Sequence, residues 1–373
     1  MNRNERIAIV KGLAIILMVI GHAEAQSFIT NFIYIFHMPV FFVAAGYFFK
    51  ESNISDPYGY MKRRAKGLYL PFVKWALFFL LIHNLMFALG ILNEEYGNAQ
   101  GGVTHPYTLS QFVQRFFLIL FSMGGYDEFL AGAFWFFRAL LVVSIVYLIL
   151  VKVLRHFFPR ISLSWASAII AGTALCFALI KIGFNFRIPT IVQGGIRETW
   201  GLFFFSMGPI VNRFLSKYSL GIWQFVLLVL LLCIGAHFHW KGMNLTPRMI
   251  DVATLPITGL AGFLVLDRIA GWLTATDNAA RRFLNYCGAM TLYIYVFHII
   301  AFKPVSMIKI WWFGLDPSQI GCHMVIHDYA PGDYFWVLYS IAGVCLPLLG
   351  IYCYRRAKNA LKSASRRSSL LTN

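Results

Sequence analysis

The chain has 373 residues, of which 59% are apolar and 13% are charged. The charged share is about half that of a soluble domain, which excludes an ordinary soluble protein. Lys and Arg number 32 against 15 Asp and Glu, which gives a net charge of +17. In a soluble chain this charge would suggest nucleic-acid binding. In a membrane protein it reflects the positive residues that orient the spans, so no nucleic-acid partner is expected.

Apolar runs long enough to cross ~30 Å of hydrocarbon predict an all-α polytopic membrane bundle. Ten transmembrane helices are predicted at about residues 7–25, 28–49, 68–91, 132–153, 162–181, 196–212, 219–238, 250–270, 285–303 and 334–354. A shorter apolar segment at 111–121 predicts a helix that lies at the membrane interface. We expect one transmembrane domain over residues 1–354 and a basic, disordered tail over residues 355–373.

The basic residues concentrate on one side of these spans. With the N-terminus in the cytoplasm, 22 of the 32 Lys and Arg fall in inner segments, 8 in outer segments and 2 within spans. This bias predicts that both termini are cytoplasmic. Two polar outer loops, 92–131 and 304–333, could meet a hydrophilic substrate. Their titratable residues include Asp127, Glu128, Asp316, His323, His327, Asp328 and Asp333.

Lys11 and His22 are the ionisable residues of the first span, and charges inside a bilayer are costly enough to indicate function. Their eleven-residue spacing places them on one stripe of a helix, about 16 Å apart along its axis. The stripe would connect a basic cytoplasmic end to an imidazole, whose ordinary pKa near 6.5 suits a general base. Alternatively, His22 hydrogen-bonds another helix and Lys11 extends its amine to the interface.

Four further ionisable residues in or beside spans are candidates for supporting roles. They are His37, Arg138, Glu198 and His298. The structural alternative for each histidine is an interhelical hydrogen bond. Arg138 and Glu198 could form a buried pair or line a glycan-facing cavity, and the alternative for both is a simple interface position. The six cysteines show no CxxC or Cys/His ligand spacing, so we expect neither a disulfide nor a metal site.

The residues around the first stripe resemble a known family. The matching stretches are 11–22, 36–42 with 46–47, 62–72, 135–137 and 291–298. They are similar to the membrane acyltransferase-3 family, and most similar to its fucose 4-O-acetylase-like branch. The resemblance implies two catalytic residues, His22 as the catalytic histidine and Lys11 as the family's basic residue. Two positions depart from the family pattern, since Ala8 stands where this branch often has Asp and Ala45 where Ser is common.

The resemblance also implies an activity. An acyl group, usually acetyl, would pass from acetyl-CoA in the cytoplasm to a hydroxyl of a bacterial surface glycan or its lipid-linked precursor, in the cytoplasmic membrane. Lys62, Arg63 and Arg64 would then bind the coenzyme A phosphates, although the same cluster could serve only to hold topology. The expected partners are the glycan or glycolipid acceptor and membrane lipids. Direct transfer and a short-lived acyl-histidine both fit these residues.

Two other classes of function compete with this interpretation. A transporter or exporter of a polysaccharide or lipid-linked sugar would also be a helical bundle with ionisable residues at midplane. The sequence shows no inverted repeat and no paired broken spans in corresponding halves, which argues against a carrier. A receptor or scaffold would need neither His22 nor an acyl donor.

Overall fold

A computed structural model describes residues 3–97, 105–188, 192–243, 247–326 and 333–371. The described chain is helical and contains no strand. Its helices are α1 (Arg3–His22), α2 (Ser27–Tyr34), α3 (His37–Tyr47), α4 (Glu51–Ser55), α5 (Pro57–Arg64), α6 (Leu70–Ala88), α7 (Glu94–Gly97), α8 (Leu109–Ser122), α9 (Trp135–Phe157), α10 (Leu163–Gly183), α11 (Ile196–Leu215), α12 (Ile222–His237), α13 (Asp251–Leu273), α14 (Ala279–Ala289), α15 (Thr291–Phe313) and α16 (Phe335–Leu371). A π-helical turn, Ala65–Tyr69, joins α5 to α6.

Seven helical segments of the described chain are long and apolar enough to cross a membrane. They are Ser27–Tyr47, Pro57–Ala88, Trp135–Phe157, Leu163–Gly183, Asp251–Leu273, Thr291–Phe313 and Phe335–Ala360. The other three predicted spans correspond to α1 and α11, which have 20 residues each but are more polar, and to α12, which has 16 residues. The prediction of an all-α polytopic bundle is confirmed.

The second predicted span is broken into α2 and α3 close to Pro39. Pro39 has no N–H group to donate to the carbonyl of Ile35, four residues earlier. That carbonyl instead accepts a hydrogen bond of 3.0 Å from the hydroxyl of Thr258 on α13. A neighbouring helix therefore satisfies the backbone group that the proline leaves open.

Two further boundaries differ from the prediction. The ninth span, predicted at 285–303, is divided at Met290 between α14 and α15, and α15 continues to Phe313. The tail expected to be disordered continues α16 as far as Leu371. Between Arg355 and Leu371 the sequence is rich in Ala, Leu, Lys and Arg and has neither Gly nor Pro, so helix propensity favours this extension.

Glycines allow two pairs of helices to approach closely. A Cβ atom on Gly12 would overlap the backbone carbonyl of Leu284, so α1 lies directly against α14. A Cβ atom on Gly208 of α11 would overlap the backbone of Gly46 on α3. Contacts between small residues of this kind are the usual way in which membrane helices associate.

Ion pairs join α1 to its neighbours at its N-terminal end. Arg6 binds Asp267 of α13 through both carboxylate oxygens, and Glu5 accepts hydrogen bonds of 2.8 and 2.9 Å from Arg281 of α14. Two of the positive charges that set the predicted topology are therefore also neutralised by carboxylates inside the bundle.

The apolar interior consists of two packed clusters. One centres on α3, α9, α11 and α13, and the other on α6, α9, α15 and α16. Phe41, Leu68 and Phe136 contact both clusters. These three side chains mark the boundary between the two halves of the bundle.

Candidate active site

A cavity of about 540 Å³ lies at this boundary between the two apolar clusters. Phe41, Leu68 and Phe136 line it, as do residues from α1, α3, α5, α9 and α15. Binding sites are common where two packed units meet, because the side chains there are not fully interdigitated. Its polar wall consists of Lys11, Asn53, Tyr60, Arg63, Arg64, Thr291 and Tyr295.

The π-helical turn Ala65–Tyr69 forms part of the cavity wall through Gly67 and Leu68. Pro71 follows this turn and lacks the N–H that would bond the carbonyl of Gly67. The helix widens over these residues. Such π-helical turns are frequent at functional sites, because they change the direction of side chains within an otherwise regular helix.

The cavity follows the predicted stripe of α1. Lys11, Ile15 and Met18 all line it. His22 continues the same stripe one helical turn beyond Met18, but is not itself a lining residue. The predicted spatial relation between Lys11 and His22 is thus present, with Lys11 beside the basic end of the cavity and His22 beyond its other end.

Helix α15 also lines the cavity and carries a histidine beyond it. Tyr295 lines the cavity, and His298 lies one turn further along α15. The Nδ1 atom of His22 lies 2.9 Å from the Nε2 atom of His298, and their rings are stacked with centroids 5.1 Å apart. His298 is buried and His22 is half-buried. The structure therefore brings together two of the predicted histidines.

A backbone carbonyl determines where the protons lie in this pair. The Nδ1 atom of His298 is 2.8 Å from the carbonyl oxygen of Tyr295, which can only accept, so Nδ1 carries a hydrogen. In a neutral ring the Nε2 atom of His298 is then an acceptor, and the Nδ1 atom of His22 must donate to it. The Nε2 atom of His22 keeps its lone pair. This is the arrangement that a general base requires.

His37 lies near this pair without joining it. Its Nδ1 atom donates to the carbonyl of Ile33 at 3.0 Å, and its ring is 5.3 Å from that of Tyr34. Tyr34 also lies edge-on to His22 at 6.5 Å and donates a hydrogen bond of 2.8 Å to the carbonyl of Gly21. His37 is buried, and its hydrogen bond to Ile33 links α3 to α2 across the break in the second span. The ring of Tyr34 lies between His37 and the histidine pair.

The predicted basic cluster contributes to the cavity only in part. Arg63 and Arg64 line it, whereas Lys62 is exposed and does not. Arg63 donates to the amide oxygen of Asn53 at 3.1 Å, and Arg64 donates to the hydroxyl of Tyr60 at 3.0 Å. Both guanidinium groups are therefore positioned by neighbouring side chains at the basic end.

Arg138 and Glu198 form a second polar group, between α9 and α11. The guanidinium donates to the carboxylate at 3.1 Å, as the sequence analysis considered. Arg197 lies beside this pair with its guanidinium 4.4 Å from the centre of the Trp135 ring. Tyr126, in the preceding loop, interacts electrostatically with Arg197 and Arg138, and burial raises its pKa to about 12, so its hydroxyl remains a hydrogen-bond donor.

The comparisons with known proteins identify the family of the chain. A family model described as an acyltransferase domain, that of the acyltransferase-3 family, matches residues 4–356. The chain belongs to the acyltransferase-3 family. No curated protein and no solved structure gives a significant match to it. The prediction of the family and of an acyltransferase is confirmed, and the match covers every element that forms the cavity.

The two departures from the family pattern occupy different positions in this acyltransferase. Ala45 is half-buried and lines the cavity, so a serine there would add a hydroxyl to the wall. Ala8 lies on α1 at the contact with α14, where a Cβ on Gly288 would overlap its carbonyl. Only the change at position 45 therefore alters the polarity of the cavity.

The two long polar loops, 92–131 and 304–333, are fixed in their described parts by buried polar contacts that the sequence analysis did not identify. His83 of α6 pairs with Asp127, both fully buried, and donates through its other ring nitrogen to the carbonyl of His105 at 3.0 Å. Lys303 of α15 donates to the carbonyls of Ile320 and Cys322 at 2.6 and 2.8 Å. Polar residues scattered along loops give no periodic signal, so only the fold reveals these contacts.

His323 is a further residue near the histidine pair. Its ring lies 4.8 Å from that of Phe129, and it interacts electrostatically with His22. The sequence analysis placed it in an outer loop without assigning it a role. His327 and Asp328 of the same loop lie outside the described residues. In the described part of the acyltransferase, no group of three or more His, Cys, Asp or Glu could hold a metal ion.

Proposed function

We propose that this acyltransferase transfers an acetyl group from acetyl-CoA in the cytoplasm to a hydroxyl of a bacterial cell-surface glycan or its lipid-linked precursor. The observation that carries the proposal is the cavity, which has two arginines and a lysine at one end and approaches the His22–His298 pair at the other. An anionic donor with a mostly uncharged pantetheine arm suits a cavity that is basic at one end and lined by apolar side chains toward the histidine pair. The enzyme would work in the bacterial cytoplasmic membrane.

The basic end of the cavity suits the phosphates of coenzyme A. Arg63 and Arg64 offer planar, always charged donors that bind phosphate oxygens in pairs. Lys11 stands on the same wall of the cavity, about 16 Å along the helix from His22. At this separation Lys11 contacts the donor molecule, whereas the reacting carbonyl lies toward His22. Lys62 adds to the local positive field from outside the cavity.

Chemistry takes place at His22. Its Nε2 atom removes the proton from the acceptor hydroxyl while the hydroxyl oxygen attacks the thioester carbonyl carbon. A C–O bond forms, the C–S bond breaks, and the imidazolium returns the proton to the departing thiolate of coenzyme A. His298 holds His22 in the tautomer that can begin this sequence, and it stabilises the imidazolium through the shared hydrogen bond.

The polar group between α9 and α11 supports an acceptor site. A carboxylate and two guanidinium groups provide acceptors and donors for sugar hydroxyls, and Tyr126 adds a hydroxyl. Glu198 has one carboxylate oxygen, Oε2, and Arg197 has one nitrogen, Nε, that are buried without a hydrogen-bond partner in the described structure. Partly satisfied groups of this kind are suited to a polar ligand.

The experiment measures acetyl-CoA binding and the slow release of free coenzyme A by protein purified in nanodiscs. His22→Ala should abolish release while leaving the dissociation constant within about twofold, because a base is removed and no phosphate contact changes. The double variant Arg63→Gln with Arg64→Gln should weaken binding at least about tenfold, because charge-assisted hydrogen bonds are lost. Lys62→Gln should weaken it less.

The control is the double variant Arg213→Gln with Lys217→Gln. It removes two charges that are also predicted to be cytoplasmic but do not line the cavity. Equal weakening by both double variants would mean that only the general positive field matters. Retained release in His22→Ala would contradict the catalytic role. Absence of saturable binding up to ~1 mM donor would favour a carrier of polysaccharide or lipid-linked sugar instead.

A further inference from the structure

A second cavity, a lateral groove of about 440 Å³, lies between α6, α15 and α16. It shares no lining residue with the first cavity. Its lining is Lys74, Trp75, Tyr293, Phe297, Ile300, Ala301, Leu346, Pro347, Gly350, Ile351 and Tyr354. Most of these side chains are apolar, one is a lysine, and none is acidic. The groove therefore combines a hydrocarbon-like surface with a single positive charge.

One end of the groove lies at the predicted cytoplasmic interface. Tyr293 is the third residue of α15, and Tyr354 directly precedes Arg355 and Arg356 on α16. Tyrosine and tryptophan prefer the level of lipid headgroups, and the positive-inside bias places this level on the cytoplasmic side. The aromatic end of the groove is thus beside headgroups, and the aliphatic residues extend toward the membrane centre.

Lys74 is exposed and points its ammonium group over the ring of Trp75, 4.3 Å from the ring centre. In the described chain no hydrogen bond or ion pair joins Lys74 to an acidic side chain. An ammonium group within a membrane span is costly unless an anion meets it. The charge of Lys74, with Arg355 and Arg356 at the same end, is complementary to a phosphate.

Gly350 keeps the groove open. A Cβ atom added there would meet nothing within 4 Å, whereas Gly343, two turns earlier on the same helix, is packed against Phe302 and Val19. Pro347 lies between these two glycines and cannot donate a hydrogen bond within the helix. Helix α16 is therefore closely packed at Gly343 and open at Gly350, where it lines the groove together with Lys74.

We propose that this groove binds one anionic phospholipid of the cytoplasmic leaflet. The phosphate lies at Lys74, near the basic end of α16, and an acyl chain lies along Phe297, Ile300 and Leu346. Apolar burial provides much of the affinity, and the charge of Lys74 selects an anionic headgroup over a zwitterionic one. The site is separate from the donor cavity and does not depend on the proposed activity.

Native mass spectrometry of the purified full-length protein tests this assignment, after exposure to phosphatidylglycerol or to phosphatidylcholine with matched chains. The wild type should retain one phosphatidylglycerol in preference to phosphatidylcholine. Lys74→Gln should lower phosphatidylglycerol retention about fivefold, the effect of one cation near a headgroup, and lower phosphatidylcholine retention much less, because the choline cation offsets the charge of its phosphate. Gly350→Leu should lower retention of both lipids, because the leucine occupies the open space.

Lys152→Gln and Gly172→Leu are the matched controls. Lys152 is an exposed lysine of α9, and a Cβ on Gly172 of α10 would also meet nothing within 4 Å. Both controls should retain phosphatidylglycerol as the wild type does. Equal retention of the two lipids by the wild type, or unchanged phosphatidylglycerol retention in Lys74→Gln or Gly350→Leu, would overturn the proposal.

Discussion

At the scale of single residues, His22 and His298 act as a pair because a carbonyl fixes their protons. The carbonyl of Tyr295 accepts from His298, so His298 must accept from His22, and His22 keeps a lone pair on Nε2. The sequence identifies His22 by its spacing from Lys11. It also names His298 as a candidate for a supporting role, but it cannot show that His298, 276 residues away, lies beside His22.

His298→Phe should lower kcat about 10²-fold or more and leave the KM for acetyl-CoA unchanged. The phenyl ring fills the volume but cannot accept the hydrogen of His22, so the base loses its tautomer and orientation. Steady-state kinetics in nanodiscs, with free coenzyme A as the readout, measures both constants.

His298→Gln is the conservative comparison, since its amide oxygen can accept the same hydrogen bond. It should keep more of the kcat than His298→Phe does. A purely structural role would instead lower thermal stability in both variants and would not separate kcat from KM. Equal loss in the two variants would contradict the positioning role.

At the scale of helices, close glycine contacts set the shape of the cavity. α3 carries Met38, Ala44 and Ala45 of the cavity wall, and it lies against α11 because Gly46 and Gly208 have no side chains. Any Cβ at position 208 would meet backbone atoms, which cannot move aside as the end of a flexible side chain can.

Gly208→Ala should destabilise the protein by about 1 to 3 kcal/mol, the usual cost of overpacking. Separation of α3 from α11 should also weaken acetyl-CoA binding, because the cavity wall moves with α3. The free energy comes from reversible denaturation in detergent, and the affinity from titration with acetyl-CoA.

Gly172→Ala on α10 is the control, because a Cβ there meets open space. It should leave stability unchanged or raise it slightly, as alanine favours the helix. A similar loss of stability in both variants would mean that flexibility of the glycine, and not the close contact, is what matters.

At the scale of the whole molecule, the donor cavity lies between two apolar clusters. The distribution of basic residues predicts which end of the cavity faces the cytoplasm. The arginines at its basic end belong to segments that the positive-inside bias assigns to the cytoplasm. Ion pairs such as those between Arg6 and Asp267 keep the helix ends together on that side. The proposed acetyl-CoA donor would therefore enter from the side that this bias assigns to the cytoplasm.

This orientation is tested with single cysteines introduced into a cysteine-free variant. Ser110→Cys, at the start of α8, should react with a membrane-impermeant maleimide in intact cells. Ser219→Cys, before α12, should react only after permeabilisation. Both serines are exposed, so accessibility depends on the side of the membrane. The reverse pattern would place the cavity mouth outside the cell and contradict the proposed donor route.

The sequence by itself determined the membrane class, the helical architecture, the family and the stripe from Lys11 to His22. These features are local, because apolar run length, charge bias and helical spacing act over a few turns. The sequence also named Arg138 and Glu198 as candidates, and in the structure these two side chains form an ion pair.

Only the tertiary structure decided which distant residues meet. The pairing of His22 with His298, the inclusion of Arg63 and Arg64 but not Lys62 in the cavity, and the His83–Asp127 contact all depend on helix packing. The proline itself predicts a kink near Pro39, but only the fold shows that the Thr258 hydroxyl of another helix bonds the freed carbonyl of Ile35. Helix packing fixes the distances and rotations between elements, and these are set by contacts far apart in sequence that no local pattern encodes.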